Sequence, residues 1–235
     1  MSSMPDPFQP DPPGRRPPGH QPPMRPRDVT AAVEARLITA LGEPDARAAV
    51  TFLGADRIEV LRFPGTEAGA EPGGSARPGA PGLVRYATLG MSAAPMADPS
   101  DPAPDPVRGP RAELLISVRA TEGVPVDQLL RPLAVFAASP QVEGLVVAPG
   151  ASLDAGEPLW PGAPFTAVLV GEPGGLVEDL ELTEPMDPVR FLPLLPMTPN
   201  EAAFKRVQGA AALQERWLAQ GTDLRDPLRR SVALD

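Results

Sequence analysis

Carboxylates, hydroxyls, guanidiniums and a single lysine are the side chains with which this chain could do chemistry. It has no cysteine, which excludes disulfides, thiolate metal sites and cysteine nucleophiles. Its one histidine, His20, sits in a proline-rich stretch with little to fold around it. Neither a histidine-based triad nor a zinc site of the usual kind therefore has its raw material. Catalysis would fall to Asp, Glu, Ser, Thr, Arg, Tyr86 or Lys205, for which Ser–Lys pairs and paired carboxylates are the available devices.

Carboxylates are densest from Glu172 to Asp187, where every charged residue is acidic: Glu172, Glu178, Asp179, Glu181, Glu184 and Asp187. Asp179 and Glu181 alternate with Leu180 and Leu182, the pattern of an edge strand whose charged face discourages unwanted pairing. With no histidine or metal-ligand set beside them, a catalytic role has no support. A solvated edge explains the run, and the competing use is capture of a cationic partner by Asp179, Glu181 and Glu184. In Arg111 to Arg119, Ala112, Leu114, Ile116 and Val118 share one face of a half-buried strand. Arg111, Glu113, Ser117 and Arg119 share the other with Leu115, solvated, paired within the chain or, for Arg119, set against a partner.

The net charge of −9 argues against nucleic-acid binding, which wants a clustered positive footprint. The glycines of PGTEAGAEPGGSARPGAPG lack the GK[ST] ending of a phosphate loop, so no cofactor is expected from them. No apolar run approaches the roughly 18 residues needed to span a bilayer. The start, MSSMPDPFQPDPP, has neither the charge nor the apolar stretch of a secretory signal, which makes the cytoplasm the expected location.

The best-marked element is a helix start after an apolar strand in Val189 to Gly221. Thr198 caps it, Glu201 reaches back to the Thr198 amide, and Pro199 takes the first helical position. Phe204, Val207, Leu213 and Trp217 form the expected buried side, with Gly209 breaking the helix into two halves. Ahead of it, residues 1–27 read as a disordered proline-rich arm. Asp28 is expected to cap a helix carrying Val29, Val33, Leu37 and Leu41, stopped by Gly42. Strands are expected over Ile58 to Phe63, ending at Pro64, and over Leu83 to Met91, bending at Gly90. Flexible Pro/Gly-rich insertions follow near 64–82 and 93–110. A helix is expected from Pro125 to Ala138, with Pro132 in conflict. Leu145–Ala148, Phe165–Val170 and Leu176–Leu182 suggest an antiparallel meander, with Trp160 as a packing plug. The sum is one α+β domain over 28–235, a largely antiparallel or mixed sheet flanked by helices.

Five segments follow one another in order: Tyr86 to Ser92 (YATLGMS), Arg111 to Leu114 (RAEL), the strand and capped helix from Phe191 to Gly209, Thr222 to Arg225 (TDLR), and Arg229 to Val232 (RRSV). In that order and spacing, residues 28 to 235 resemble a bacterial member of the suppressor of fused family. The resemblance implies a protein-binding module without catalytic residues or cofactor. Its family-motif positions are Gly90, Met91, Ser92, Arg111, Glu113, Thr198, Glu201, Asp223, Arg225 and Ser231. Eukaryotic relatives hold a transcription factor partner in an inhibitory complex, partly through added-strand pairing, and bacterial relatives are proposed as immunity proteins that neutralise toxins. The alternative is an accessory partner of a secretion or signalling system, tethered by the proline-rich arm.

Overall fold

The computed structural model of the protein describes residues 23–51, 57–65, 82–98, 100 and 102–234. Most of the proline-rich arm, His20 with it, and most of the insertion after Pro64 lie outside the described residues. The first helix, α1 (Pro26–Leu41), begins two residues before the expected Asp28 cap. Pro26 takes the first position, where its missing N–H costs nothing, and Asp28 lies in the first turn, ion-paired to Arg25 at 2.7 Å. Val29, Val33 and Leu37 are buried as their spacing requires.

Strand β1 (Ala46–Val50) has no apolar alternation to announce it in the sequence. Arg47 ties it down, bonding Glu59 of the next strand at 2.8 Å and Glu34 of α1. Strand β2 (Ile58–Gly65) continues through Pro64 instead of ending there, because β1 stops opposite Arg62 and the missing proline N–H breaks no ladder on that side. Strand β3 (Leu83–Leu89) ends two residues before Met91. Gly90 turns out of it at φ 116°, where a side chain would also meet the Arg57 carbonyl at 2.7 Å, and Met91–Ala93 form a 3-10 turn.

Strand β4 (Arg111–Arg119) has the expected bounds but not the expected exposure: Arg111 and Glu113 on its polar face are 3% and 0% exposed. A 3-10 turn, Val126–Leu129, then leads into α2 (Leu130–Glu143). Pro132 is thus the third residue of α2, among the first N–H positions that have no partner in the helix, and it disturbs nothing. Pro140 is the interior proline.

The meander is shorter than expected. Strands β5 (Ser152–Asp154) and β6 (Ala167–Val170) form, whereas Leu145–Ala148 is irregular between Gly144 and Pro149. Leu176–Leu182 contributes only one bridge, Leu180 to Val189, so Asp179 and Glu181 stand on a loop and not on a strand face. Two glycines precede this loop, and burial of Val177 in the core under α1 fixes its path instead. Strand β7 (Val189–Met197) leads into α3 (Pro199–Gln208) and α4 (Ala210–Ala219), broken at Gly209 as expected. Leu213 and Trp217 are buried, but Val207 points outward, 79% exposed.

Among the described residues seven strands form one sheet in the order β1-β2-β3-β4-β7-β6-β5, antiparallel except for the parallel β4–β7 pair. The fold is therefore α+β with a mixed sheet. One face packs on α2, with Trp160 plugged against Phe165. The other carries α1 over Leu61, Phe63, Leu89 and Phe191, and separately α3 and α4 over Leu169 and Met197. β7 joins the two parts: Val189 to Pro193 pair with β4, and Leu194 to Met197 pair with β6. Beyond Leu115 and Pro193 the strands β4 and β7 fork.

Candidate functional site

Most of the residues that the resemblance singles out gather at three carboxylates. Glu113, in mid-sheet on β4, accepts from the Gly90 amide at 2.9 Å and from the Ser92 amide at 3.0 Å. The Ser92 hydroxyl donates to the same oxygen at 2.6 Å, and the Thr88 hydroxyl donates to the other at 2.7 Å. The left-handed turn at Gly90 aims two main-chain N–H groups at one point, a nest that suits an anion. Arg111, two residues before Glu113, donates to the carbonyls of Ser92 and Val107. It grips the same turn without pairing with Glu113. Burial pushes the Glu113 carboxyl above its usual range, and the hydroxyls and amides around it offset this only in part.

Glu201 stands at the start of α3 and does more than cap. The reciprocal Thr198 bonds are present: the Thr198 amide donates to Glu201 Oε2 at 2.9 Å, and the Glu201 amide donates to Thr198 Oγ1 at 3.3 Å. Arg229 meets the carboxylate in a two-pronged fork, Nη1 to Oε1 at 2.7 Å and Nη2 to Oε2 at 2.9 Å. Trp217 Nε1 and the Val232 amide also donate to Oε1. The Arg229 guanidinium lies 4.8 Å from the Phe165 ring centre and 5.6 Å from that of Trp217. Burial opposes the Glu201 charge, but Arg229, the Thr198 amide and Trp217 together hold its carboxyl below the usual range.

The third carboxylate lies nearer the surface. Asp223 accepts from Arg119 Nε at 2.8 Å and Nη2 at 2.6 Å, and from Arg225 Nε at 3.0 Å. Its carboxyl is pulled down to about 2 by these two guanidiniums, against some burial. The Arg119 amide donates to the Arg225 carbonyl, which fastens the C-terminal segment to the end of β4. The Ser231 hydroxyl donates to the carbonyl of its neighbour Val232, whose amide reaches Glu201. Met91 is core, buried beside Met96 and Ala112.

The partner-facing candidates do not assemble. Asp179, Glu181 and Glu184 are exposed on the loop before β7, where Asp179 lies 3.9 Å from Arg190 and the adjacent Glu178 pairs with Arg36. Arg119 is joined to Asp223. The reactive alternatives are also occupied elsewhere. Tyr86 is buried, donating to Asp127 at 2.8 Å, and burial pushes its hydroxyl above the ordinary value. Lys205 lies 3.2 Å from Ser152 Oγ on an exposed surface. Among the described residues no group of three or more acidic or histidine side chains could hold a metal ion, and no helix is long and apolar enough to cross a membrane.

Two residues that the sequence does single out, Arg229 in the RRSV segment and Trp217 on the buried side of the helix, carry no local signal of their bond to Glu201. Arg229 looks like one of a pair of tail arginines, and its partner lies 28 residues away. Trp217 reads as a core plug, yet its ring N–H serves Glu201.

The family model described as suppressor of fused protein matches residues 54–230, which include all three carboxylates and every partner named above except Val232. The chain belongs to the suppressor of fused family. This suppressor of fused domain is similar to a homologue from Neisseria gonorrhoeae at TM-score 0.60 and 19% identity, over 87% of this chain and 97% of that one. It is also similar to a Sufu chain from a Sufu–Fu complex, at TM-score 0.58 and 13% identity, over 90% of this chain and 93% of that one. Against Drosophila Suppressor of Fused, at TM-score 0.54 and 14% identity, it covers 89% of itself and 51% of the other chain, so it spans about half that protein's length. No protein with a curated description matches. At these identities the structures speak for the fold.

Proposed function

We propose that this suppressor of fused domain is a non-catalytic module that holds a protein partner, and that it serves as an immunity protein neutralising a toxin. The observation that carries the reading is where the polar signature goes. Glu113, Glu201 and Asp223 are consumed by bonds within the chain, so the carboxylates that the resemblance singles out stabilise a scaffold. A relative of the same fold has been solved as a complex with the protein Fu. The sheet ends at β1 and β5, whose outer edges have main-chain groups that an added strand can use. Asp179, Glu181 and Glu184 add an acidic surface suited to steering a basic toxin.

Co-expression with a toxin encoded beside this chain tests the reading: growth should be restored and the two proteins should elute as one complex. Undiminished toxicity with both proteins well expressed contradicts the immunity role. The alternative, an accessory partner in secretion or signalling tethered by the arm, expects partner binding to weaken when residues 1–27 are deleted.

A further inference from the structure

Between the two helical coverings on one sheet face, the fork of β4 and β7 leaves a cavity of about 130 Å³. Its floor is apolar, built from Leu115 of β4, Phe191, Pro193 and Leu195 of β7, and Leu224 of the C-terminal segment. Leu176, on the loop before β7, forms one wall and is 45% exposed, so the cavity opens to solvent beside it. In a chain of net charge −9, Arg225 is the one charged residue among the described residues that line it. Asp223 accepts from both Arg225 and Arg119.

The main chain points the same way. The Ala120 amide bonds the Gly82 carbonyl, and in an antiparallel ladder bonded pairs alternate, so Ile116 and Val118 also turn their main-chain groups to β3. Leu115, Ser117 and Arg119 turn theirs to the fork. The Arg119 amide is taken by Arg225, and pairing with β7 stops at Leu115. Ser117, half-buried in the cavity wall, therefore presents its N–H and C=O to an incoming extended chain.

We propose that this fork is a docking groove for an extended segment of a protein partner, which places an apolar side chain on the floor and a nearby carboxylate against Arg225. The inference rests on the protein-binding reading and gives it a location away from the sheet edges. Random linear peptides displayed on phage and selected on the full chain provide the probe. Enriched sequences should share an apolar residue within two positions of Asp, Glu or the free C-terminus. As synthetic peptides they should bind at least about tenfold more weakly to Leu176→Asp and to Arg225→Ala, and more weakly at high salt. Leu176→Asp alters only an exposed wall, and its thermal unfolding should match the parent. The groove is refuted if no such motif is enriched, or if binding to Leu176→Asp stays within about twofold of the parent. It is equally refuted if a protein partner binds the parent and Leu176→Asp alike, an outcome that leaves the binding-module reading standing.

Discussion

Glu113 and Glu201 are both 0% exposed and both accept four or more hydrogen bonds, yet their proton affinities are shifted in opposite directions. Glu113 has only hydroxyls and amides around it, and burial raises its proton affinity. Glu201 has Arg229 locked onto both oxygens, and its proton affinity falls. Neutral donors organise the buried Glu113 carboxylate without fully offsetting its burial, whereas the paired guanidinium outweighs burial at Glu201. The difference suits their positions. Glu113 pins a turn to the strand 21 to 23 residues further along the chain. Glu201 joins three separate stretches: the helix start, Trp217 of α4, and the C-terminal segment through Arg229 and Val232.

The sharpest way to break the comparison is to strip one partner from the charged pair. Arg229→Ala leaves the Glu201 charge buried without its cation and should cost about 3–5 kcal/mol in urea unfolding. A loss below about 1 kcal/mol shows that the fork contributes no more than a surface pair. At Glu113 the size of the loss should depend on the replacement. Glu113→Ala orphans the buried amides of Gly90 and Ser92 and should cost about 2–3 kcal/mol, whereas Glu113→Gln keeps an acceptor for them and should cost about half as much. Equal losses refute the role assigned to those two amides. Thr198→Ala removes the cap while leaving Arg229 in place, and about 1 kcal/mol is expected. Asp223→Asn, at the half-exposed third site, should change stability by less than about 1 kcal/mol.

Local signals in the sequence revealed one half of each tie. The Thr198–Glu201 box is legible because both partners lie within one turn, and β4 and β7 are legible from alternation and apolar content. Nothing local marks the other half. Glu113 on an alternating strand looks like a solvent-facing residue until Gly90 folds its amides over it. Arg229 reaches Glu201 only because the C-terminal segment crosses the end of β7. β1 escapes notice because its stability comes from Arg47 pairing with other elements, and Leu176–Leu182 misleads because Val177 is buried by a loop and not by a strand. The acidic residues Asp179, Glu181 and Glu184 were legible as exposed, and their use by a partner remains for the co-expression test.

Glu113 and Glu201 tie the fold together with proton affinities shifted in opposite directions, and pH separates them. The ordinary value for both carboxyls is 4.5. Glu113, raised in the folded state, contributes stability that is present below that value and lost as pH rises through its folded value. Glu201, lowered in the folded state, contributes stability that is present above it and lost as pH falls through its folded value. Urea unfolding of Glu113→Gln and Glu201→Gln beside the parent, from about pH 3 to about pH 8, measures both costs. The cost of Glu113→Gln should shrink toward alkaline pH and that of Glu201→Gln should shrink toward acid. Costs that rise and fall together across the range contradict the account.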